Sequence, residues 1–579
     1  MPSDLINKEF ERWLNNVEPE DKVKLHELKS NKSLIEFSFE KDIEFGTGGL
    51  RSLYKLGPNC INIYTVRRAT QGLSDYLNQI YKSPSVVIAK DSRHGGKEFE
   101  KAIVEVLISN NIRVYIFNNI EPTPLLSYAV RYLHCSAGIC ITASHNPSEY
   151  NGYKVYDEEG CQITSVAAKQ IQGHIQEVDI FSGIKRTKVS HYENCDNVSY
   201  VAYKLIDQYL EEIIRNCPLD FSAKDYGKIH LTYSPLNGAG LECITHLFKK
   251  IGLENYCVVD EQKLPDGDFP SCKVPNPEKK EALELGIKCA KDNKSDVLIA
   301  TDPDADRIGV AVYSRATNDF QILSGNEIGL LLLNFLSVLR KRSGMDLSSK
   351  IALSTIVSSD LAIDLAKAYG FELRRTLTGF KYIGEQICEL EKNRHESNFL
   401  FAFEESHGYL AGTYARDKDG ILATLLVCQM LIYYKGLGMD ISTVLESIYQ
   451  EYGYVVNKQI SINLKSGNSD FVNQIFKHFK SFENASFAGF EVKRIVDYNL
   501  GAKMPVYNQS ISLEYTSILP KSNVLQLNLD RKNKLILRPS GTEPKINFYI
   551  TARGESKKEA NDILDSIASA LKKEIERYE

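Results

Sequence analysis

The chain has 579 residues, too many for one hydrophobic core, so three or four domains are expected. Its 43% hydrophobic and 25% charged residues are those of an ordinary globular protein. A formal net charge of −5 excludes a general pull toward nucleic acid or anionic membrane, so any phosphate site must be a local basic feature.

The twelve cysteines are scattered, without a Cys-x-x-Cys pair, and read as reduced, mostly buried small hydrophobes. Met1–Lys8 carries no apolar targeting core. The longest apolar run, Ile328–Leu339, is broken by Asn334 and Ser337 and is too short to span a bilayer. A cytoplasmic location with no membrane partner is the expectation.

Residues 4–30 predict one or two amphipathic helices with Phe10, Trp13, Leu14 and Val17 on one face. Trp13, the only tryptophan, is expected to anchor a core. In Phe45-Gly-Thr-Gly-Gly-Leu-Arg51 the glycines allow close backbone approach to a ligand, and Arg51 offers a charged fork. The spacing matches neither the dinucleotide nor the P-loop fingerprint.

From Ser85 an internal repeat emerges. Strands are predicted at Ser85–Asp91, Arg113–Phe117 and Gly138–Ile141, then at Lys228–Tyr233, Tyr256–Val259 and Asp296–Ala300. A third set follows at Lys350–Ile356, Glu372–Thr376 and Asn398–Phe403. Helical stretches separate them, as mostly parallel α/β units require. Each third strand runs into a polar cluster: Thr142-Ala-Ser-His-Asn146, Thr301-Asp-Pro-Asp-Ala-Asp-Arg307 and Glu404-Glu-Ser-His-Gly408. Three domains giving one loop each to a central cleft is the expected plan. Past about residue 440 the pattern changes, with strands at Tyr454–Val456, Ile460–Asn463, Leu535–Leu537 and Ile546–Ile550. A closing helix carries Ile563, Ile567, Leu571 and Ile575 on one face.

The clusters differ in chemistry. Asp302, Asp304 and Asp306 alternate along a tight loop, three hard oxygen donors suited to Mg²⁺. An EF-hand is excluded, because its sixth position would be Arg307 and its twelfth Tyr313. Arg538-Pro-Ser-Gly-Thr-Glu-Pro-Lys545 places two cations, two hydroxyls and a glycine in one turn, a cradle for a phosphate dianion. Glu404 and Glu405 suit polyol hydroxyls or acid–base work, and Lys381 substrate binding or proton transfer.

Thr142-Ala-Ser-His-Asn-Pro, Asp302-Pro-Asp-Ala-Asp-Arg, Glu404-Glu-Ser-His-Gly-Tyr and Arg538-Pro-Ser-Gly-Thr-Glu-Pro resemble, in order, the four signature loops of the α-D-phosphohexomutase superfamily. The glycine-rich loop and Arg416-Asp-Lys-Asp-Gly420 resemble its long phosphoglucomutase/phosphopentomutase branch. The resemblance implies three tandem similar α/β domains with mixed, mostly parallel sheets, plus a C-terminal α+β domain like the TATA-binding protein. The corresponding spans are 1–205, 206–323, 324–440 and 441–579.

The resemblance also implies roles. Ser144 is the phosphoserine and, with Asp302, Asp304 and Asp306, holds one Mg²⁺ per chain. His145, Lys154 and Lys381 are candidates for proton transfer, with His407 nearby, and Arg307 adds positive charge. Arg51, Thr47, Asp306, Arg307, Thr378, Gly379 and Lys418 contact substrate. Glu404 and Ser406 bind sugar hydroxyls, and Arg538, Ser540, Gly541, Thr542 and Lys545 hold the non-transferring phosphate. One departure is Asn237, where relatives often carry histidine.

The activity implied is interconversion of glucose 1-phosphate and glucose 6-phosphate, with glucose 1,6-bisphosphate as intermediate and priming activator. Phosphopentomutase and phosphomannomutase activities are the alternatives on the same fold. A hydrolase would not need the second phosphate loop. The expected partner is a phosphorylated sugar, and the expected state a monomer or weak homodimer, with the phosphate loop on a separate domain that could hinge.

Overall fold

The computed structural model describes residues 3–46, 48–463, 469–508, 513–539 and 545–577. The chain divides into two compact units. One comprises Met1–Ala311, Gly384–Glu389 and Gly412–Leu425, and the other Val312–Ile383, Leu390–Ala411 and Leu426–Glu579.

The first unit begins with helices Ser3–Asn16, Pro19–Leu28 and Lys32–Phe39. Trp13 is fully buried and meets Phe39, Tyr64 and Phe181 edge-on, closing an apolar cluster with Phe10 and Val17. The first sheet runs Leu50–Leu53, Tyr150–Asp157, Ala137–Ile141, Ser85–Lys90, Arg113–Ile116, Val198–Tyr200. Its inner strands are parallel, while Tyr150–Asp157 runs antiparallel to both its neighbours. Ala137–Ile141 is buried at every position, which explains its unbroken run of small and branched residues. In the second sheet Leu231–Ser234 lies between Val297–Thr301 and Tyr256–Val258, all parallel.

In the second unit, Ile351–Thr355 lies between Phe399–Glu404 and Glu372–Thr376, again parallel. All three sheets therefore place the first strand of each repeat between its third and second. Each third strand delivers its polar loop at the carboxyl edge, where parallel sheets gather ligand-binding groups.

The C-terminal sheet is antiparallel where its pairings are described: Tyr454–Asn463, Lys545–Gly554, Lys534–Pro539, Leu525–Leu529, Phe490–Asp497, Ser486–Phe487. Helices Ser469–Lys480 and Lys557–Glu576 accompany it, giving an α+β layer. The two short strands expected at 454–456 and 460–463 are one ten-residue strand, because Lys545–Gly554 pairs along its whole length.

A feature absent from the sequence reading joins these two sheets. Strands Ala502–Tyr507 and Leu513–Leu519 pair with each other, and the first adds antiparallel to Glu372–Thr376, extending the third sheet to six strands. Met504, Val506 and Leu519 pack with Ile356, Leu377, Ile536 and Tyr549. Beside them Asp360 accepts from Arg375 at 2.6 Å and from Lys534 at 2.9 Å, and Arg553 reaches Asp364 at 2.9 Å. The strand Lys534–Pro539 thus belongs to a sheet joined to its neighbour by backbone, core and buried charge. Among the described residues, no single helix is long and apolar enough to cross a membrane.

Removing one member of a buried ion cluster strands the others. Asp360→Asn, which leaves Lys534 and Arg375 facing each other, is expected to lower unfolding free energy by about 3–5 kcal/mol in denaturant titration. Unchanged stability would mean that the cluster does not couple these sheets.

Candidate active site

Ser144 sits in the loop after Ala137–Ile141 with φ 53°, a left-handed backbone that a non-glycine residue adopts only when its surroundings impose it. The imposing contacts are visible. The Ser144 N–H donates to Thr142 Oγ1 at 2.7 Å, and that hydroxyl donates to Asp91 Oδ2 at 2.5 Å. Arg93, buried and paired with Asp91, gathers the loop carbonyls: Ser144 O at 2.6 Å, Pro147 O at 2.7 Å, Tyr150 O at 2.9 Å, and Asn146 O. Its guanidinium stacks over Phe269, 5.0 Å from the ring centroid. Gly152 is required opposite, since a Cβ there would lie 2.4 Å from Thr142 O.

The Ser144 hydroxyl faces the acidic loop. Its Oγ lies 2.9 Å from Asp302 Oδ2, receives Arg307 Nη1 at 2.6 Å, and is 3.3 Å from His145 Nδ1. Asp302, Asp304 and Asp306 are completely buried and present oxygens within 4.8 Å of one another. Their charge is met from several elements. Lys154 of the antiparallel strand reaches Asp304 at 2.7 Å and Asp306 at 3.6 Å, and Lys418 reaches Asp306 at 2.8 Å. Arg307 folds back on Asp302 at 3.2 Å and Asp306 at 3.3 Å. Thr123 donates its hydroxyl to Asp304 Oδ2 at 2.8 Å and its N–H to Asp304 O at 2.9 Å.

This packing sets the electrostatics. Burial, then Asp306 and Asp304, raises Asp302 well above the carboxylate range. Burial acts the same way on Asp304, but Lys154 and Thr123 outweigh it and hold that carboxyl low. Burial also opposes charge on Lys154, yet Asp304 and Asp306 keep it a cation. Burial, with Arg307 and Arg51, holds His145 well below the usual imidazole range. Asp304 Oδ1 and Asp306 Oδ2 are buried without a hydrogen-bond partner, the second facing the Lys154 and Lys418 ammoniums, so the loop has hard donors to spare. The residues therefore fit a small divalent cation with oxygen preference.

The structure brings Ser144, His145, Lys154, Asp302, Asp304, Asp306, Arg307 and Lys418 into this one cluster. Arg51 adjoins the loop, its Nη1 3.3 Å from Asn146 Oδ1. The nearby glycines serve packing: a Cβ at Gly49, whose φ is +93°, would lie 1.9 Å from Tyr153 O. Thr47, Ser540, Gly541 and Thr542 lie outside the described residues.

The remaining expected residues belong to the second unit. Glu405 turns inward, accepting from Thr355 Oγ1 at 2.8 Å and Ser358 Oγ at 3.3 Å. Arg538 lies within electrostatic reach of Glu405 and hydrogen-bonds Tyr549, so the loops at 404–408 and 538–545 begin from neighbouring positions. Lys545 opens the strand paired with Tyr454–Asn463 and is half-buried. Glu404 ends its strand and, like Lys381, is buried, while Ser406 in the following turn is half-buried. The Lys381 ammonium lies 4.6 Å from the Tyr382 ring centroid, and half-buried Thr378 has a side-chain oxygen without a hydrogen-bond partner. Gly379, at φ +117°, has open space where a Cβ would stand. In the first unit, Asn237 is turned into its own loop, donating to Glu261 O and Leu264 O, a structural role for the position where histidine is missing.

Asp91, Arg93 and Thr123 were not identified from sequence. A signal existed for the first two: they follow Ser85–Lys90, the strand paired beside the one that delivers Ser144.

The family description "Phosphoglucomutase/phosphomannomutase, alpha/beta/alpha" matches as domain I over residues 42–180, domain II over 207–314 and domain III over 324–452. A phosphoglucomutase of Staphylococcus saprophyticus is 34% identical over 94% of this chain and 96% of its own. One from Staphylococcus aureus is 33% identical over 95% and 96%. Among solved structures, a phosphoglucomutase/phosphomannomutase family protein from Burkholderia thailandensis superposes with a TM-score of 0.64 at 20% identity, over 92% of this chain and 96% of that one. The open form of pp63/parafusin from Paramecium gives 0.66 at 17%, over 92% and 95%.

Burial, and then Glu404, pushes Glu405 up to about 7 from an ordinary value of 4.5. The folded protein thus holds a proton that the unfolded chain releases, and the stability this carboxyl contributes is full below 4.5 and lost as pH rises to about 7. Glu405→Gln removes that loss, so its melting temperature relative to wild type should climb across this window. A difference independent of pH would contradict the assignment.

Proposed function

The chain belongs to the phosphoglucomutase/phosphomannomutase family, and on that premise we propose that it interconverts glucose 1-phosphate and glucose 6-phosphate through phosphorylated Ser144 and a bisphosphorylated sugar. The observation that carries this reading is the Ser144 hydroxyl, buried between Asp302 at 2.9 Å and Arg307 at 2.6 Å. A serine hydroxyl becomes a useful nucleophile only where its proton can leave and the arriving phosphoryl charge is met.

Arg307 meets that charge directly, by the hydrogen bond it already makes to Ser144 Oγ. Asp302, Asp304 and Asp306 would hold Mg²⁺ together with Ser144, supplying Lewis-acid stabilisation of the phosphoryl oxygens. Once Asp302 is ionised, three carboxylates face three cations, Lys154, Lys418 and Arg307. A divalent cation and a phosphate dianion can therefore enter together without leaving net buried charge. His145, its Nδ1 3.3 Å from Ser144 Oγ, is assigned to proton transfer at that hydroxyl, and Lys154 as a cation to Asp304. Arg51 is assigned to substrate phosphate beside them.

In the second unit, Glu404 and Ser406 are assigned to sugar hydroxyls, with Thr378, Gly379 and Lys381 supporting them. Arg538, Ser540, Gly541, Thr542 and Lys545 are assigned to the phosphate that is not transferred. A sugar carrying a phosphate at each end must bind in two orientations, which calls for a second anion site of this kind.

A coupled assay from glucose 1-phosphate with Mg²⁺ and catalytic glucose 1,6-bisphosphate tests the reading. Wild type should turn over, and Ser144→Ala should lose roughly 10⁴-fold or more in kcat, as nucleophile removal does elsewhere. Higher kcat/KM on ribose 1-phosphate or mannose 1-phosphate would overturn the sugar, and full activity of the alanine variant would overturn the nucleophile.

A further inference from the structure

Two cysteines that the phosphoryl-transfer site does not use meet inside the first unit. Cys161 Sγ, in the turn after Tyr150–Asp157, lies 3.5 Å from Cys388 Sγ. Both are buried, Cys388 at 7% exposure being the more accessible to a molecule the size of water. Arg416 completes the cluster, its Nε donating to Cys388 Sγ at 3.3 Å. Gly384 makes room, since a Cβ there would stand 2.8 Å from Cys161 Sγ and 2.6 Å from Arg416 O.

A thiol that receives a hydrogen bond from a guanidinium is stabilised as thiolate, the form that reacts with oxidants. The contact with Cys161 and then Arg416 hold the Cys388 thiol below its ordinary range against the effect of burial. Cys161 is pushed well up by the same contact. The pair is thus asymmetric, with an attacking sulfur and a resolving one. A disulfide needs the sulfurs about 2.05 Å apart, a short approach from their present separation.

Both sulfurs bear on the turn that carries Lys418. Arg416, held by Cys388, begins that turn. Gln162, next to Cys161, donates to Asp417 Oδ2 at 3.1 Å, beside the Tyr156 hydroxyl at 2.8 Å. Lys418 then reaches Asp306 at 2.8 Å.

We propose that Cys161 and Cys388 form a redox modification site, at which hydrogen peroxide converts the two thiols into a disulfide that displaces the Arg416–Asp419 turn and slows turnover. The Cys388 thiolate attacks one peroxide oxygen, the O–O bond breaks, and hydroxide leaves with a sulfenic acid on Cys388. Cys161 then displaces that oxygen, and its proton departs in water. Peroxide takes two electrons from the sulfurs and yields two waters, and a dithiol reverses the change.

Reduced protein is exposed to peroxide, alkylated, digested without reductant and mapped by mass spectrometry, with mutase turnover followed in parallel. A Cys161–Cys388 cross-link, lighter than the two peptides by two hydrogens, should form as turnover falls severalfold, and dithiothreitol should restore both. Cys388→Ser and Cys161→Ser should start near wild type and resist peroxide. Cys257→Ser should behave as wild type, because the Cys257–Cys289 pair, 3.8 Å apart, leaves Cys289 pushed up to about 11 by burial. Alkylation of both cysteines after peroxide, a cross-link without loss of turnover, or loss that persists in Cys388→Ser would each overturn the proposal. Peptide mapping does not depend on the sugar, so its result stands apart from the identity of the substrate.

Discussion

Three carboxylates that lie within 4.8 Å of one another and touch no solvent are the constraint on which the first unit depends. Like charges about 4 Å apart repel by roughly 4 kcal/mol per pair even at an effective dielectric of 20. The loop is tenable only because Lys154, Lys418, Arg307 and Thr123 converge on it from separate parts of the chain. That demand accounts for residues 412–425 belonging with the first unit although strands of the third sheet lie on both sides of them in sequence. It also fixes the Ser144 loop, whose hydroxyl is one more donor to Asp302.

The second unit solves a different problem. The loops at 404–408 and 538–545 arise from two sheets that the 502–519 hairpin and the Asp360 cluster hold together. Glu404 and Arg538, where those two stretches begin, are therefore carried by joined sheets.

Much of this was legible in the chain. Strand sets with polar ends announced three α/β units, and the order third–first–second recurs in each of the first three sheets. The alternation Asp302, Asp304, Asp306 announced a cation site because its spacing is local. What escaped notice depends on distant pairing. Arg93 has meaning only when the carbonyls of residues 144–150 fold over it. Asp360 and Lys534 are unremarkable charged residues until strands more than 170 positions apart adjoin, as their separation of 174 shows. The hairpin's alternating pattern fits any sheet edge, so sequence alone could not name the one it joins. Scattered cysteines likewise gave no hint that Cys161 and Cys388 would meet.

The central claim is that the buried aspartate loop is a cation site whose charge is already balanced by protein. Titration calorimetry of Mg²⁺ into the intact protein, beside Asp302→Asn and Asp306→Asn, tests it most directly. The account predicts one ion per chain and binding lost, or weakened at least about tenfold, in both variants, as removal of a carboxylate ligand from a hard-oxygen site requires. Equal affinity in wild type and variants, or no binding by a folded wild-type protein, would contradict it.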